Sequence, residues 1–401
     1  MVECIQAVNA RNEMETQGGR PVTPEVFRQR FPVLRDTAYL ASCSQGAISE
    51  HVMAALAEMS YSLRAHGAPW NEWMGEADAV RAAFAALIGA GQAEIALVPS
   101  ASAGAFQAAS AIDFARRAVI VSPRSEFPSV GQVFHAQRIL GARVRWVDED
   151  SMGRQGVVDA YRAQIDESVG LVSIPLALYS NGSVQPVNEV AKLAHEAGAR
   201  VFVDAYQAAG VLPVDVREID CDYLVTGALK YLLGLPGVAF LYARSGVPDE
   251  RPPHMTGWFG RVDPFDFDAA RLDFPADARR FEAGTPAVPA LYAARAGLET
   301  LAALDPVAVA GHVARLVEAA TRRLLDAGEQ LAPPLPGARP GPQVAVVDDD
   351  PETLAAFLER HRVIASPRGR ILRLSWHYYN TEDDLDTVVD ALARYRAGKT
   401  P

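Results

Sequence analysis

Two charged residues close apolar runs in the middle of this chain: Asp204 ends "RVFVD" and Lys230 follows "DYLVTGAL". Each run has the length and β-branched content of a buried strand. A carboxylate at such an end is ordinarily a solvated cap, and a lysine ordinarily lays its stem along the surface. Lys230, however, is flanked by Leu229, Tyr231, Leu232 and Leu233. A desolvated amine gives up its proton more easily and becomes a base or a Schiff-base nucleophile. In a low-dielectric cleft Asp204 could hold a cationic ring nitrogen through a charge-assisted hydrogen bond. Upstream, "LVPSASAGAFQAA" reads as strand, small residues and helix start. The N–H groups of Ala101 and Ser102 and the Ser102 hydroxyl would then face outward at a helix N-terminus, where unpaired donors and the dipole attract an anion. A plain serine cap accounts for the same residues.

The elements that must position these groups alternate. Strand-like runs are "EIALVPS", "RAVIVSP", "ARVRWVD", "VGLVSIPLAL", "RVFVDA", "DYLVTG" and "GVAFLYA". Helical segments such as "SAGAFQAASAIDFARR" and "VNEVAKLAHEAGA" lie between most of them. The alternation predicts an α/β fold, a mostly parallel sheet with helices on both faces. Ligands in such sheets sit outside the carboxyl ends of the strands, where Asp204 and the loop before Lys230 lie. The pattern changes after about residue 285, and the proline-rich "LAPPLPGARPGP" leads into a strand-helix-strand-helix block. The expected division is an N-terminal segment (1–36), a large domain (37–285) and a small α+β domain (286–401).

Composition narrows the partners. Acidic residues outnumber basic ones by 49 to 38, for a net charge of −11. That argues against a nucleic-acid or anionic-membrane partner, which needs a basic face. Three scattered cysteines (Cys4, Cys43 and Cys221) argue against a disulfide framework and for a reducing compartment. The N-terminus lacks the apolar stretch of a secretion signal, so a soluble cytoplasmic protein is expected. The eight histidines show no zinc spacing, and neither a P-loop nor a G-x-G-x-x-G follows the first strand. No metal is expected.

Four segments, in order, resemble the class V aminotransferase-like group of fold type I pyridoxal-phosphate enzymes. That group includes cysteine desulfurases, selenocysteine lyases, kynureninases and isopenicillin N epimerase-like proteins. "VDAYQAAG" is similar to its D-x-x-Q motif and "TGALKYLLGLPGVAFLY" to its lysine motif. "FEAGTPAVPAL" is similar to its G-T-P loop and "RLSWHYYNTEDDLD" to its C-terminal arginine block. The resemblance runs from about residue 37 to 396. It implies pyridoxal 5'-phosphate as cofactor, with Lys230 as its covalent anchor and proton shuttle and Asp204 on the pyridinium nitrogen. It further implies Gln207 on the phenolic oxygen, Ala101 and Ser102 at the phosphate, and Phe127 stacked on the ring. Trp258 in "TGWFGR" would lie near phosphate and substrate, plain packing being the other reading of that residue. Thr285 would reach the phosphate of a neighbouring subunit, which implies a homodimer with shared sites. Arg373 would clamp the substrate carboxylate.

The chain also departs from the group. The loop "HRVIASPRGRIL" has no cysteine where desulfurases carry their nucleophile. Cys43, in "YLASCSQGAIS", lies where the N-terminal segment approaches the site, and either touches substrate or is an inert buried thiol. Gly227 replaces the desulfurases' phosphate-binding serine, and Thr226 is the candidate substitute. Tyr179 stands where the group's asparagine is expected, with Asn181 beside the following glycine; both are candidate substrate contacts. The expected activity is Cα deprotonation of an amino acid or cysteine conjugate followed by β-elimination, a C–S lyase. Transamination or oxidative chemistry, kynureninase-like hydrolysis and epimerisation are the alternatives, and a non-enzymatic binding module is the reading opposed by Asp204, Gln207, Lys230 and Arg373.

Overall fold

Seven strands build the central sheet of the computed structural model, which describes residues 22–149, 156–247 and 251–399. They are β2 (Ile95–Val98), β3 (Val119–Pro123), β4 (Arg143–Val147), β5 (Val169–Pro175), β6 (Arg200–Asp204), β7 (Tyr223–Gly227) and β8 (Ala239–Ala243), with β1 (Ala38–Tyr39) lying outside this sheet. Their order is β2-β8-β7-β6-β5-β3-β4. Neighbours from β7 through β4 pair in parallel, and β8 runs against both β7 and β2. The strand runs read from the sequence all form, and β2, β3, β5, β7 and β8 are buried along their whole length. Continuous burial is what helices on both faces impose. Side chains of β6 alternate between the two sides: Val201 and Val203 join one core cluster and Phe202 the other.

Helix Ala101–Ser110 lies on β7 and β8, starting where β2 ends. Its approach is close: a Cβ on Gly104 would stand 2.8 Å from Val225 Cγ2. Only glycine lets the helix N-terminus sit this near the strand that leads to Lys230. Ser100 caps the helix, its hydroxyl accepting from Ala103 N at 3.2 Å. Helix Val187–Glu196 packs on β5 and β6.

The C-terminal block contains a three-stranded antiparallel sheet, ordered β11 (Ser366–Arg368), β12 (Ile371–Ser375), β9 (Gln343–Val347). Helix Pro351–Arg360 packs on it, and helix Glu382–Lys399 packs on that helix and on the short strands β1 and β10 (Val363–Ile364). Sequence patterning misses three very short strands here: β1, β10 (Val363–Ile364) and β11. β1 pairs in parallel with β10, more than three hundred residues away. Arg28 binds both carboxylate oxygens of Asp384 at 2.8 and 3.0 Å, and Ser42 Oγ lies 2.6 Å from Tyr379 Oη. The beginning of the described chain is therefore bound to its C-terminal block. Gly46 N also donates to Leu229 O at 2.8 Å, so the same segment braces the lysine loop. Among the described residues no single helix is long and apolar enough to cross a membrane, and no group of three or more His, Cys, Asp or Glu could hold a metal ion.

Candidate active site

Asp204 is the last residue of β6, and it is buried because β5 and β7 flank that strand. Its Oδ1 accepts from Tyr206 N at 2.8 Å. Burial raises its pKa, while the Tyr206 N–H and the charge of Lys230 pull it back. A second carboxyl, Glu126, lies in the same neighbourhood. Glu126 is buried, accepting from Ser173 Oγ at 2.7 Å and from Phe127 N at 2.8 Å. Burial first, and the charge of Asp204 next, push Glu126 up to about 8. Two desolvated carboxyls cannot both ionise cheaply. Asp204 faces the lysine and keeps the charge; Glu126 stays protonated at neutral pH.

Lys230 follows β7 in a tight turn closed by Leu233 N donating to Lys230 O at 3.1 Å. Leu233 adopts φ 61°, a left-handed conformation that costs a non-glycine residue about 1–2 kcal/mol. Complete burial of its side chain offsets that by roughly 1.5–3 kcal/mol. The Lys230 Nζ lies 4.3 Å from the Tyr206 ring centre and 5.6 Å from that of Phe127. Desolvation brings its pKa down from 10.5 to about 8 and outweighs the attraction of Asp204.

Asp204, Tyr206, Gln207, Lys230, Phe127 and the Ala101–Ser102 helix start surround one cavity of about 250 Å³. Ser102 Oγ donates to Ser129 Oγ at 3.0 Å at its edge. Gln207 Nε2 donates to Cys43 O at 3.1 Å, and its Oε1 is buried with no partner among the described residues. A flat, anionic ring compound suits this space. The carboxylate stands at one part of the wall, the helix N-terminus at another, Phe127 and Tyr206 supply aromatic surface, and the orphaned amide has hydrogen-bonding capacity to spare.

The other residues singled out in the sequence divide between the cavity wall and its surroundings. Tyr179 lines the cavity, stacked edge-on against Phe127 at 5.2 Å, and its carbonyl accepts from Arg373 Nη1 at 2.9 Å. Arg373 sits behind it, buried, its remaining bonds going to Ser366 O and Ser366 Oγ. Asn181 turns away, donating to Pro333 O and accepting from Ser183. Cys43 is buried and meets the site through its carbonyl. Thr226, the proposed replacement for a missing serine, does not line the cavity; its hydroxyl is buried and unpartnered among the described residues. Strand alternation sends the Thr226 side chain to the face opposite position 227, and a serine has no room at Gly227 itself. A Cβ there would be 2.0 Å from Tyr206 Oη and 2.3 Å from Cζ, so the tyrosine already fills that space. Trp258 joins an aromatic group with Trp70, Phe259, Phe265 and Phe267 outside the cavity. Thr285 is exposed on a separate cavity of about 240 Å³. Cys4 lies outside the described residues.

Of the wall residues that the sequence reading passed over, Glu126 and Tyr206 bear most on the chemistry. Glu126 was visible only as the neighbour of Phe127 in "SEFPS", and Tyr206 only as a spacer between Asp204 and Gln207.

The sequence profile of the family described as Aminotransferase class-V matches residues 39–388. An uncharacterized aminotransferase of Bacillus subtilis (strain 168), YcbU, is 36% identical over 92% of this chain and 97% of its own length. The kynureninase of Deinococcus radiodurans is 31% identical over 79% of each chain. Among solved structures, a C-DES variant with glycine covalently linked to its PLP cofactor superposes with a TM-score of 0.83. It covers 91% of this chain and 98% of its own at 21% identity, a likeness of fold.

Proposed function

The chain belongs to the class V aminotransferase family of pyridoxal-phosphate-dependent enzymes, and from that premise we propose that it removes the Cα proton of an amino acid or cysteine conjugate and eliminates the β-substituent as a C–S lyase. The net reaction is cysteine S-conjugate plus water to thiol, pyruvate and ammonia. When bound, the cofactor withdraws electrons from the substrate Cα and makes its proton acidic. In this reading Lys230 would anchor the cofactor, and its freed amine would take the proton from Cα and hand it to the departing thiolate. A pKa near 8 leaves a usable neutral fraction at pH 7. Asp204 holds the ring nitrogen in its charged form, and the protonated Glu126 beside it adds no second charge. Phe127 covers one ring face, Gln207 meets the phenolic oxygen, and the Ala101 and Ser102 N–H groups receive the phosphate. Arg373 binds the substrate carboxylate. Thr285 acts across a cytoplasmic homodimer, which suits its position away from the chain's own cavity.

The observation that carries this reading is the Lys230 amine, desolvated between two aromatic rings and opposed to the buried Asp204. Elimination needs no enzyme thiol, and the hairpin at 364–373 has none. A transaminase is the second reading, favoured by the description of the Bacillus subtilis relative as an aminotransferase. Incubation with a cysteine S-conjugate tests both. Pyruvate, ammonia and free thiol in equal amounts support the lyase. Conversion of the cofactor to its amine form with release of the matching keto acid supports the transaminase instead. Anthranilate from kynurenine would point to hydrolysis.

A further inference from the structure

Tyr206 lines the active-site cavity, its ring centre 4.3 Å from Lys230 Nζ. Its hydroxyl lies across the end of the neighbouring strand: a Cβ on Gly227 would stand 2.0 Å from Tyr206 Oη. The side chain thus crosses from the end of β6 to the end of β7 and puts its phenol where a side chain at position 227 would begin.

The sheet topology places that point beside the helix start. β2 runs against β8 and β8 against β7, so β2 and β7 point the same way and end at one edge of the sheet. Helix Ala101–Ser110 starts at that edge and runs back over β7 and β8, with Gly104 against Val225. Side chains two apart on a strand share a face. Position 227 is therefore on the helix side of β7, one step past Val225 toward the helix N-terminus. Tyr206 packs on the same apolar cluster as Ala101 and Val225. Its hydroxyl has no hydrogen-bond partner among the described residues, whereas Ser102 Oγ already donates to Ser129 Oγ. Burial and the charge of Asp204 raise the pKa of the phenol, so it keeps its proton and can donate. A phosphate monoester presents three strong acceptor oxygens. The unpaired N–H groups of the first helical turn meet some of their lone pairs, and an uncommitted hydroxyl at the same edge suits the rest.

We propose that Tyr206 binds the phosphate of the cofactor, its hydroxyl donating at the end of β7 while its ring walls the pocket. This deepens the reading of the Ala101–Ser102 helix start as the phosphate end of the site, and it is independent of which reaction follows.

The test titrates the full chain, freed of cofactor, with pyridoxal 5'-phosphate and with pyridoxal, which lacks the phosphate, following visible absorbance. Tyr206→Phe keeps the ring and removes the hydroxyl. Loss of one charge-assisted hydrogen bond predicts binding of pyridoxal phosphate weakened roughly tenfold or more, and of pyridoxal by less than about twofold. The thermal midpoint of the cofactor-free protein should not move, because the packing is retained. Tyr206→Ala should lose the same preference for the phosphorylated compound, and adding Gly227→Ser to it should restore part, since the new hydroxyl stands beside the vacated one. Unchanged affinity for pyridoxal phosphate in Tyr206→Phe overturns the proposal, as does an equal loss for both compounds, which a ring that only fills space would give. Ala101→Pro removes an N–H at the first helical position, where proline is tolerated. Failure of the helix-start reading then looks different: Ala101→Pro leaves the preference whole while Tyr206→Phe still lowers it.

Discussion

A lysine whose pKa is brought to about 8 should reveal itself before any turnover. Relative to the ordinary 10.5, the shift corresponds to about 3.4 kcal/mol of differential stabilisation of the neutral amine. At pH 7 roughly one molecule in ten then carries a neutral Lys230, against about one in three thousand for an unperturbed lysine. The measurement is the rate at which the cofactor-free protein reacts with trinitrobenzenesulfonate as pH is raised, with the rate of a Lys230→Ala protein subtracted to remove other amines. The difference should reach half its maximum near pH 8. Asp204→Asn takes away the carboxylate that favours the protonated amine, so the half-point should fall below 8. The fall is partly masked, because Glu126 loses the neighbour that holds it neutral and ionises more readily. Asp204→Asn combined with Glu126→Gln removes both acids and should give the lowest half-point of the series. A native half-point near 10.5, or one that rises in Asp204→Asn, would refute the view that desolvation sets this amine and Asp204 opposes it.

Other outcomes follow from the same geometry. Gly227→Ser places an atom on the Tyr206 hydroxyl and should cost about 1–3 kcal/mol by overpacking, visible as a lower urea midpoint with weaker cofactor binding; adding Tyr206→Ala should recover the stability. Glu126→Gln keeps a neutral group beside Ser173 and should be nearly neutral to stability at pH 7, whereas Glu126→Ala strands the Ser173 hydroxyl and the Phe127 N–H and should cost about 1–3 kcal/mol in denaturant titration. His377 is fully buried, its Nδ1 accepting from Tyr378 N at 2.7 Å and its Nε2 donating to Tyr231 O at 3.0 Å. Burial lowers its pKa from 6.5 to about 4. Between those values the unfolded chain binds a proton that the folded one refuses, so stability should fall as pH drops from 6.5 to 4, by up to about 3 kcal/mol, and then level off. The pH dependence of the urea midpoint should flatten over that window in His377→Gln.

The strand-and-helix alternation, the strand-end positions of Asp204 and Gly227 and the helix start at Ala101 were legible in the sequence. Each depends on neighbours within a few residues, and the period of apolar side chains records them directly. The pairing of Ala38–Tyr39 with Val363–Ile364 was not, because two-residue strands carry no period and their partners are set by the folded chain. Nor was the lack of room for a serine side chain at position 227, which a tyrosine just past the end of another strand already fills. Residue types alone named the carboxylate, the amine and the arginine. Their charge states came from the fold: burial and the charge of Asp204 keep Glu126 protonated, and burial, with two arginines adding to it, loosens the hold of Lys230 on its proton. Desolvation and Coulomb energy are sums over everything near in space, and most of what is near these groups is far from them in the chain.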